Sequence, residues 1–255
     1  MNSTLDIINN RMSLRKYDEK NISAEHKEAL IKAILRAPTA GNLMLYSIID
    51  VENKENKQKL SVLCDNQPFI AKAPMVLIFL ADTERIYDYF KYSGVEEKLK
   101  QEDKTFKKQG KGGLMLGISD ALIAAQNGVI AAESMGIGSC YIGDIMENYE
   151  EIKELFKLPK GVFPIGMLTF GYYPLDYPRR ITTRYNSKYI VHKDTYKKLM
   201  PEDFEEMYKE KEEWLIKSRI ESADNFGQLL YNKKFGSDFS KEMDRSVNLM
   251  LKNWQ

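Results

Sequence analysis

Three polar side chains near the N-terminus alternate along the sequence, and their types suit an anion. They are Arg11, Ser13 and Arg15, with Met12 between the first two. Alternate residues of an extended segment lie on one side, so two guanidinium groups and a hydroxyl could bind one phosphate together. The alternative interpretation is a solvated basic helix terminus that interacts favourably with the helix dipole. The spacing alone leaves both interpretations open.

A second candidate segment follows Pro38 and consists of small and polar residues: Thr39, Ala40, Gly41 and Asn42. Small side chains let a flat ligand approach the backbone closely, although an ordinary helix-ending turn has the same composition. Further along the chain, Gln67 can both donate and accept hydrogen bonds, which suits the edge of a heterocyclic ring. Most glutamines are solvated, so Gln67 alone does not decide between a site and a surface.

The Gly136-Ile137-Gly138 tripeptide invites comparison with a dinucleotide-binding loop, but the pattern fails. Such a loop needs a third glycine where Tyr141 stands, and it lies between a strand and a following helix. Here the glycines follow a helical pattern and precede a strand-like one. We therefore predict a helix C-cap at Gly136 and then a strand. That strand ends in a turn whose backbone N–H groups could bind a ligand: Tyr141, Ile142, Gly143 and Asp144.

The elements that would position these segments form an α+β pattern. The apolar run Met75 to Ala81 predicts a strand buried on both faces. The longest apolar stretch, Gly113 to Met135, is interrupted by Asp120 and Glu133 and predicts a buried core helix rather than a membrane span. The polar segment Glu96 to Lys111 predicts a surface excursion or lid. We expect a mixed central sheet of four to five strands flanked by helices.

The C-terminal part of the chain is charged and helical in pattern. We predict a main domain over residues 1–195 and a helical extension over residues 196–255. The helices after Pro201 lack enough apolar residues for a core of their own. They could instead pack against another subunit through apolar anchors, which include Trp214, Leu215, Ile216, Leu249, Met250, Leu251 and Trp254.

Composition argues against several classes of function. The chain has 255 residues, with 38 Lys and Arg against 37 Asp and Glu, and its net charge of +1 gives no general attraction to nucleic acid or membranes. Its two cysteines, Cys64 and Cys140, are far apart, which suits a reducing compartment and predicts a cytoplasmic protein. Two distant histidines and the lack of a Cys-x-x-Cys motif predict that no zinc is bound.

In their order and separations, four segments resemble the nitroreductase and flavin reductase family. These segments are residues 11–17, 37–42, 135–144 and 171–174. The resemblance implies a nitroreductase-like fold that binds FMN non-covalently and uses NADH or NADPH as co-substrate. It implies hydride transfer through the flavin N5 atom to a small acceptor, with no catalytic side chain on the protein. The implied acceptors are a nitroaromatic, a quinone or free flavin, reduced in a ping-pong reaction.

The resemblance also assigns the phosphate end of the site. It places the FMN phosphate at Arg11, Ser13 and Arg15, although Met12 stands where the family often has a second arginine. It adds Arg179, which matches the arginine of a Lys-Pro-Arg pattern found in the flavin reductase-like branch.

The flavin end of the site is assigned in the same way. The resemblance places residues 39–42 and Gln67 against the flavin, and the turn 141–144 at the flavin N5 and O4 atoms. Tyr177 stands where the branch has a lysine near N1 and O2, and Arg180 or Arg184 could take over that role.

The resemblance further implies a homodimer that encloses the flavin between subunits. Other functions remain open beside the main one. A reductive dehalogenase or a dehydrogenase could use the same fold and flavin, and a low-turnover flavin carrier or redox sensor would bind FMN with little catalysis. A nucleotide-binding or methyl-transfer enzyme is disfavoured by the failed glycine motif.

Overall fold

A computed structural model of the chain describes residues 3–220 and 222–254. The strands in this part are β1 (Tyr46–Asp50), β2 (Met75–Asp82), β3 (Ile137–Ile142) and β4 (Val162–Tyr172). The helices are α1 (Ser3–Asn10), α2 (Ala24–Leu35), α3 (Lys54–Leu63), α4 (Phe69–Lys72), α5 (Glu84–Tyr92), α6 (Val95–Gln101), α7 (Lys111–Ser134), α8 (Tyr149–Phe156), α9 (Pro201–Ser218), α10 (Phe226–Lys233) and α11 (Asp238–Asn253). Short 3-10 helices occupy Ala40–Asn42, Asp144–Met146 and Ser187–Tyr189.

The four strands form one sheet in the order β1-β2-β4-β3. Every residue of β2 is buried, and β4 is buried except at Tyr172. The predicted α+β class and the strand buried on both faces are therefore confirmed. The mixed character of the sheet needs correction, because all three strand pairs are antiparallel. Parallel pairing among the described residues is limited to one isolated bridge between Ser13 and Ser139.

Helix α7 is the core helix of the fold. It packs against α2 and against β2, β3 and β4. At Gly128 an added Cβ atom would lie 2.8 Å from the Ile34 side chain, so glycine allows α2 and α7 to approach this closely. By length and composition alone α7 could cross a membrane. Its packing on the sheet is instead that of a buried core helix, as the interrupting acids Asp120 and Glu133 indicate.

The connection from α7 to β3 has its C-cap at Met135, one residue before the predicted position Gly136. The helix ends at Ser134, and Gly136 follows with a φ of +71°, a left-handed conformation that glycine adopts without strain. Two residues later, an added Cβ atom at Gly138 would lie 2.5 Å from the Leu14 side chain. Glycine at this position lets the segment of residues 11–15 lie directly against β3.

The polar segment predicted as a surface excursion or lid contains α6 and a coil over residues 102–110. The coil is attached to α5 by aromatic contacts, because the ring of Phe106 lies 6.1 Å from that of Tyr87 and 6.4 Å from that of Phe90. The backbone N–H of Gln109 also donates a hydrogen bond to the Tyr87 hydroxyl at 2.7 Å.

The chain divides into two compact units by its internal contacts, and the domain boundary at 195/196 stays a prediction. One unit contains the residues up to Arg180 and those from Glu242 onward, and the other contains residues 181–241. The boundary falls within α11, whose residues from Glu242 onward belong to the first unit. There Met250 and Trp254 are buried in a cluster with Tyr149 and Phe163. Contrary to the expectation, these two anchors are used within the chain and are not available to another subunit.

The second unit has a small core between α9 and α10, where Leu215 and Leu229 are buried. The Glu212 carboxylate accepts a hydrogen bond from the backbone N–H of Phe226 at the start of α10. In this unit Trp214 is 47% exposed and Ile216 is 76% exposed, so apolar surface remains on α9.

Candidate functional site

The segment of residues 11–15 lies along the outer edge of β3. The backbone N–H of Leu14 donates to the Ser139 carbonyl at 2.9 Å, and the Leu14 side chain is fully buried. The alternation expected from the sequence is consistent with this geometry, because Arg11 Nη2 donates to Ser13 Oγ at 3.5 Å. Leu14 is the fully buried residue of this segment, and burial of its side chain fixes how the segment lies on β3.

The two arginines of this segment are cations without a carboxylate partner. Among the described residues, neither Arg11 nor Arg15 takes part in a salt bridge. The Nε atom of Arg11 is buried and has no hydrogen-bond partner, a costly state for a charged donor. Arg15 lies over the Phe69 ring, 5.9 Å from its centroid. An anion beside Ser13 would satisfy these groups, so the donor set fits a phosphate.

The buried thiol of Cys140 on β3 lies close to the polar groups of residues 11–15, as the influences on its pKa show. Burial raises its pKa, while Arg15, a hydrogen bond with Ser13, and Arg11 each act to lower the same pKa. One position of β3 is therefore close to all three groups that the sequence nominates for phosphate binding. Met12, between them, is half-buried and adds no charge.

Arg179 reaches the start of the same segment from the coil after β4. Its Nη1 donates to the carbonyl oxygen of Asn10 at 3.2 Å, and its guanidinium lies 4.3 Å from the centroid of the Tyr173 ring. Its Nη2 is 3.6 Å from Oε2 of Glu133 on α7. The structure thus brings Arg179 next to Arg11, although the two residues are far apart in sequence.

Glu133 is a buried acid that the sequence interpretation noticed only as an interruption of an apolar helix. Its side chain is 3% exposed, and Tyr173 Oη donates to its Oε1 at 2.5 Å. Burial raises the pKa of Glu133, and the Tyr173 hydrogen bond and the charges of Arg179 and Arg11 oppose that rise. A buried carboxylate in an apolar helix needs hydrogen-bond donors or cations as partners. The position of Glu133 in such a helix was therefore a sequence signal that it contacts other polar residues.

The other end of β3 brings Gln67 next to the turn that follows the strand. Gln67 Nε2 donates to the Asp144 carboxylate at 2.8 Å and to the Cys64 carbonyl at 2.9 Å. Because both amide hydrogens are used, the side-chain carbonyl oxygen is the group left for a ligand N–H. Gly143 has open space around its Cβ position, so a ligand could approach the backbone there.

The strand residues that precede this turn differ in exposure. Ile142 is buried, whereas Tyr141 is 36% exposed and donates to the carbonyl of Leu122 at 3.4 Å. Burial of the hydroxyl raises the pKa of Tyr141 to about 12.

Glu147 directly follows the short 3-10 helix Asp144–Met146. It was not predicted from the sequence as a residue of the site. It is 4% exposed, and its Oε1 atom has no hydrogen-bond partner. Burial, and after it the neighbouring acids Asp144, Asp65 and Glu242, together raise the pKa of Glu147 to about 8. Two of these neighbours are remote in sequence, so only the fold shows the cluster.

The segment of residues 39–42 lies away from the other candidates within one chain. Oγ1 of Thr39 donates to the carboxylate of the buried Asp120 on α7, and the N–H groups of Ala40 and Leu45 donate to the same carboxylate at 2.9 and 3.1 Å. This loop leads into β1, the edge of the sheet opposite β3. Three strand spacings of roughly 4.8 Å separate the two edges. The structure therefore does not bring residues 39–42 together with residues 11–15.

Within that loop, Gly41 and Asn42 adopt φ values of +56° and +58°, the left-handed conformation that these residue types accept most readily. Arg184, one possible replacement for the missing family lysine, belongs to the second compact unit and donates to the Thr182 carbonyl at 3.0 Å.

Comparison with known proteins identifies the family. Residues 8–172, more than half of the chain, match the model of the nitroreductase family. An FMN reductase (NADPH) of Bacillus subtilis strain 168 is 33% identical over 198 residues, which cover 77% of this chain and 75% of that protein. An oxygen-insensitive NADPH nitroreductase of Salmonella typhimurium strain LT2 is 29% identical over 201 residues, covering 78% of this chain and 77% of that protein.

Solved structures agree with these sequence matches. The structure of Bacillus megaterium NfrA2 superposes with a TM-score of 0.82 at 29% identity, covering 99% of this chain and 97% of that one. This chain therefore belongs to the nitroreductase family. The family resemblance inferred from the four sequence segments and the fold expected from it are both confirmed.

Proposed function

We propose that this protein transfers hydride from NADH or NADPH, through bound FMN, to a small acceptor such as a nitroaromatic, a quinone or free flavin. The observation that carries the proposal is the pair of arginines beside Ser13, which have no carboxylate partner among the described residues. The named relatives include an FMN reductase and a nitroreductase, and both are NADPH-dependent by name.

The chain is an NAD(P)H-dependent flavin oxidoreductase, and FMN is its cofactor, as its family and its relatives support. The identity of the acceptor and the choice between NADH and NADPH belong to the proposal.

The residues of the chain would contribute binding and orientation. Arg11, Ser13, Arg15 and Arg179 would bind the phosphate, since charge-assisted hydrogen bonds from arginine match its geometry. Gln67 would accept from the N–H of the flavin pyrimidine edge. When bound, FMN supplies the atom that accepts and then passes on the hydride. The chain itself needs no nucleophile for this chemistry, and its contribution is orientation of two substrates in turn.

A homodimer completes this proposal. The loop of residues 39–42 lies at the far edge of the sheet in its own chain, so it would reach a flavin only as part of a second copy. Helix α7 offers a surface for such a copy, because it exposes an apolar group of side chains: Met115, Leu116, Leu122 and Ile123. Soluble monomers rarely leave such groups uncovered. We further propose that the protein acts in the cytoplasm and binds neither nucleic acid nor membranes.

The FMN site is tested by replacing its arginines. Arg15→Ala and Arg179→Ala should each weaken FMN binding roughly tenfold or more, because a hydrogen bond to a charged group contributes about 1.5–3 kcal/mol. Arg36→Ala, at an exposed position after α2, is the matched control and should leave FMN affinity unchanged. Titration of the apoprotein with FMN, followed by flavin fluorescence, measures all three. Unchanged affinity in both site variants would remove these arginines from the site.

Steady-state kinetics test the reaction itself. One binding face that serves both substrates in turn predicts parallel double-reciprocal lines when NADPH is varied at several fixed acceptor concentrations. Intersecting lines would indicate a ternary complex and a larger site. Sustained turnover with a nitroaromatic, quinone or free flavin distinguishes this enzyme from a flavin carrier or redox sensor, which would be reduced once and then stop.

Sedimentation equilibrium at low micromolar concentration tests the dimer. The expected mass is twice that of the chain, whose calculated mass is 29.6 kDa. A monomer that retains one FMN per chain would show that a single copy forms the whole site.

A further inference from the structure

We propose that Glu133 and Tyr173 are positioning residues that hold the Arg179 guanidinium in place for the FMN phosphate. The inference rests on the proposed function, because it assumes that Arg179 contacts the phosphate. It adds two residues to the site that are not themselves expected to touch the cofactor.

Three groups hold the Arg179 side chain. Arg179 contacts the Asn10 carbonyl at 3.2 Å, the Glu133 carboxylate at 3.6 Å and the face of the Tyr173 ring at 4.3 Å. Glu133 is in turn fixed by the Tyr173 hydroxyl at 2.5 Å. Tyr173 therefore makes two contacts in this cluster. Its ring lies against the Arg179 guanidinium, and its hydroxyl donates to the Glu133 carboxylate, which faces the same guanidinium.

Without these contacts the Arg179 side chain would be free to move. Arg179 lies in a coil after β4, in a stretch without regular secondary structure, and its side chain is 43% exposed. A free arginine side chain would lose about 2 kcal/mol of rotamer entropy on binding a ligand. A side chain that is already held in place loses less, so preorganisation strengthens binding without any new contact to the ligand.

The residue types in this cluster also suit a positioning role. A guanidinium stacks on an aromatic face and still presents its planar fork of donors at the edges, whereas a lysine ammonium does neither as well. The side chain of Glu133 is 3% exposed, and a buried carboxylate is retained at such a cost only where partners compensate it. Burial raises the pKa of Glu133, and Tyr173, Arg179 and Arg11 all act to keep it ionised.

Charge balance is consistent with a phosphate beside this cluster. Arg11, Arg15 and Arg179 carry three positive charges, and Glu133 removes one of them. The remaining two match a phosphate monoester, which carries a charge between about −1.5 and −2 at neutral pH. Glu133 can thus hold Arg179 without cancelling the attraction for the ligand.

The test compares FMN with riboflavin, which lacks the phosphate. We expect Glu133→Gln and Tyr173→Phe to weaken FMN binding about threefold to tenfold, within the range for one charge-assisted contact, and to leave riboflavin binding unchanged. Glu151→Gln and Tyr92→Phe, at exposed positions, are the matched controls. An equal loss for both ligands would assign Glu133 and Tyr173 a merely structural role and overturn the proposal, as would unchanged FMN binding.

A double-mutant cycle with Arg179→Ala shows whether the effect passes through Arg179. If Glu133 acts by positioning Arg179, then Glu133→Gln should have no further effect on FMN binding in the Arg179→Ala background. Full additivity of the two losses would contradict the proposal. If Glu133→Gln does not fold, Tyr173→Phe takes its place in the cycle.

FMN and riboflavin binding by the wild-type protein distinguishes a failure of the phosphate site from a failure of the positioning roles. Wild type that binds FMN no better than riboflavin would overturn the phosphate site and thus the proposed function. Wild type that prefers FMN, with variants that keep the same preference, would overturn only the positioning roles of Glu133 and Tyr173.

Discussion

Glu133 and Glu147 are two buried acids at opposite ends of the candidate site, and they differ in their neighbours. Burial raises the pKa of both. Around Glu133, a tyrosine hydroxyl and two arginines oppose that rise. Around Glu147, every named neighbour is another acid, and its pKa reaches about 8. Burial is thus common to the two carboxyls, and the sign of the surrounding charge distinguishes them.

The difference indicates how each acid is tolerated in the fold. Glu133 remains compatible with a negative charge because its partners supply donors and positive charge. Glu147 is tolerated because it can keep its proton near neutral pH, which removes most of the desolvation penalty. Its neighbour Asp144 accepts the Gln67 hydrogen bond, so the proton on Glu147 lets the adjacent carboxylate act as an acceptor without a second full charge beside it.

The largest expected effect concerns the pH dependence of stability at Glu147. Its pKa is near 4.5 in the unfolded chain and about 8 in the folded chain. Between these values the folded state binds more protons, so Glu147 lowers stability progressively as pH rises from about 4.5 to about 8. Each pKa unit corresponds to about 1.4 kcal/mol. Glu147→Gln should therefore stabilise the protein at pH 8 by up to about 4 kcal/mol relative to its effect at pH 5.

Urea unfolding of wild type and variant at both pH values measures this difference. Glu151→Gln is the matched control, because it makes the same chemical change at an exposed position of α8. The control should show the same pH dependence as wild type. A Glu147→Gln variant with the pH dependence of wild type would mean that Glu147 does not keep its proton in the fold at neutral pH.

A smaller effect on stability is expected when Glu133 loses a hydrogen-bond donor and so, like Glu147, has an unsatisfied carboxyl oxygen. Tyr173→Phe removes the hydroxyl that donates to Glu133 and leaves a buried carboxylate short of a partner. Loss of such a donor costs about 1–3 kcal/mol. The cost should be larger at pH 8 than at pH 5, because the variant raises the folded-state pKa of Glu133 and ionisation then becomes less favourable. Equal destabilisation at both pH values would indicate lost packing only.

The sequence predicts the parts of this fold that depend on local patterns. The run Met75 to Ala81 predicts a doubly buried strand, and Gly136 predicts the end of α7, because both signals are contained in a few consecutive residues. The grouping of Arg11, Ser13 and Arg15 is predictable for the same reason. The family resemblance adds Arg179, whose proximity to Arg11 depends on the path of the coil after β4.

The remaining features depend on contacts between distant segments. The neighbours of Glu147 include Asp65 and Glu242, which no local pattern relates to it. The prediction that Trp254 anchors another subunit was wrong, because the side chain is buried within its own chain. An apolar residue near the end of a sequence does not indicate which surface it covers. Asp120 appeared in the sequence as a polar interruption, and only the fold shows that three donors of the loop at residues 39–45 require it.

The smallest expected effect separates the charge of Asp144 from its role as an acceptor. Asp144→Asn removes the acid whose charge raises the pKa of Glu147 most but keeps an oxygen that can accept from Gln67. The pKa of Glu147 should fall toward its ordinary range, and the stability lost between pH 5 and pH 8 should shrink by about 1 kcal/mol. Burial remains, so the pH dependence should persist in part, unlike that of Glu147→Gln. Urea unfolding at the two pH values measures this, and a complete loss of the pH dependence would show that charge repulsion, rather than burial, keeps the proton on Glu147.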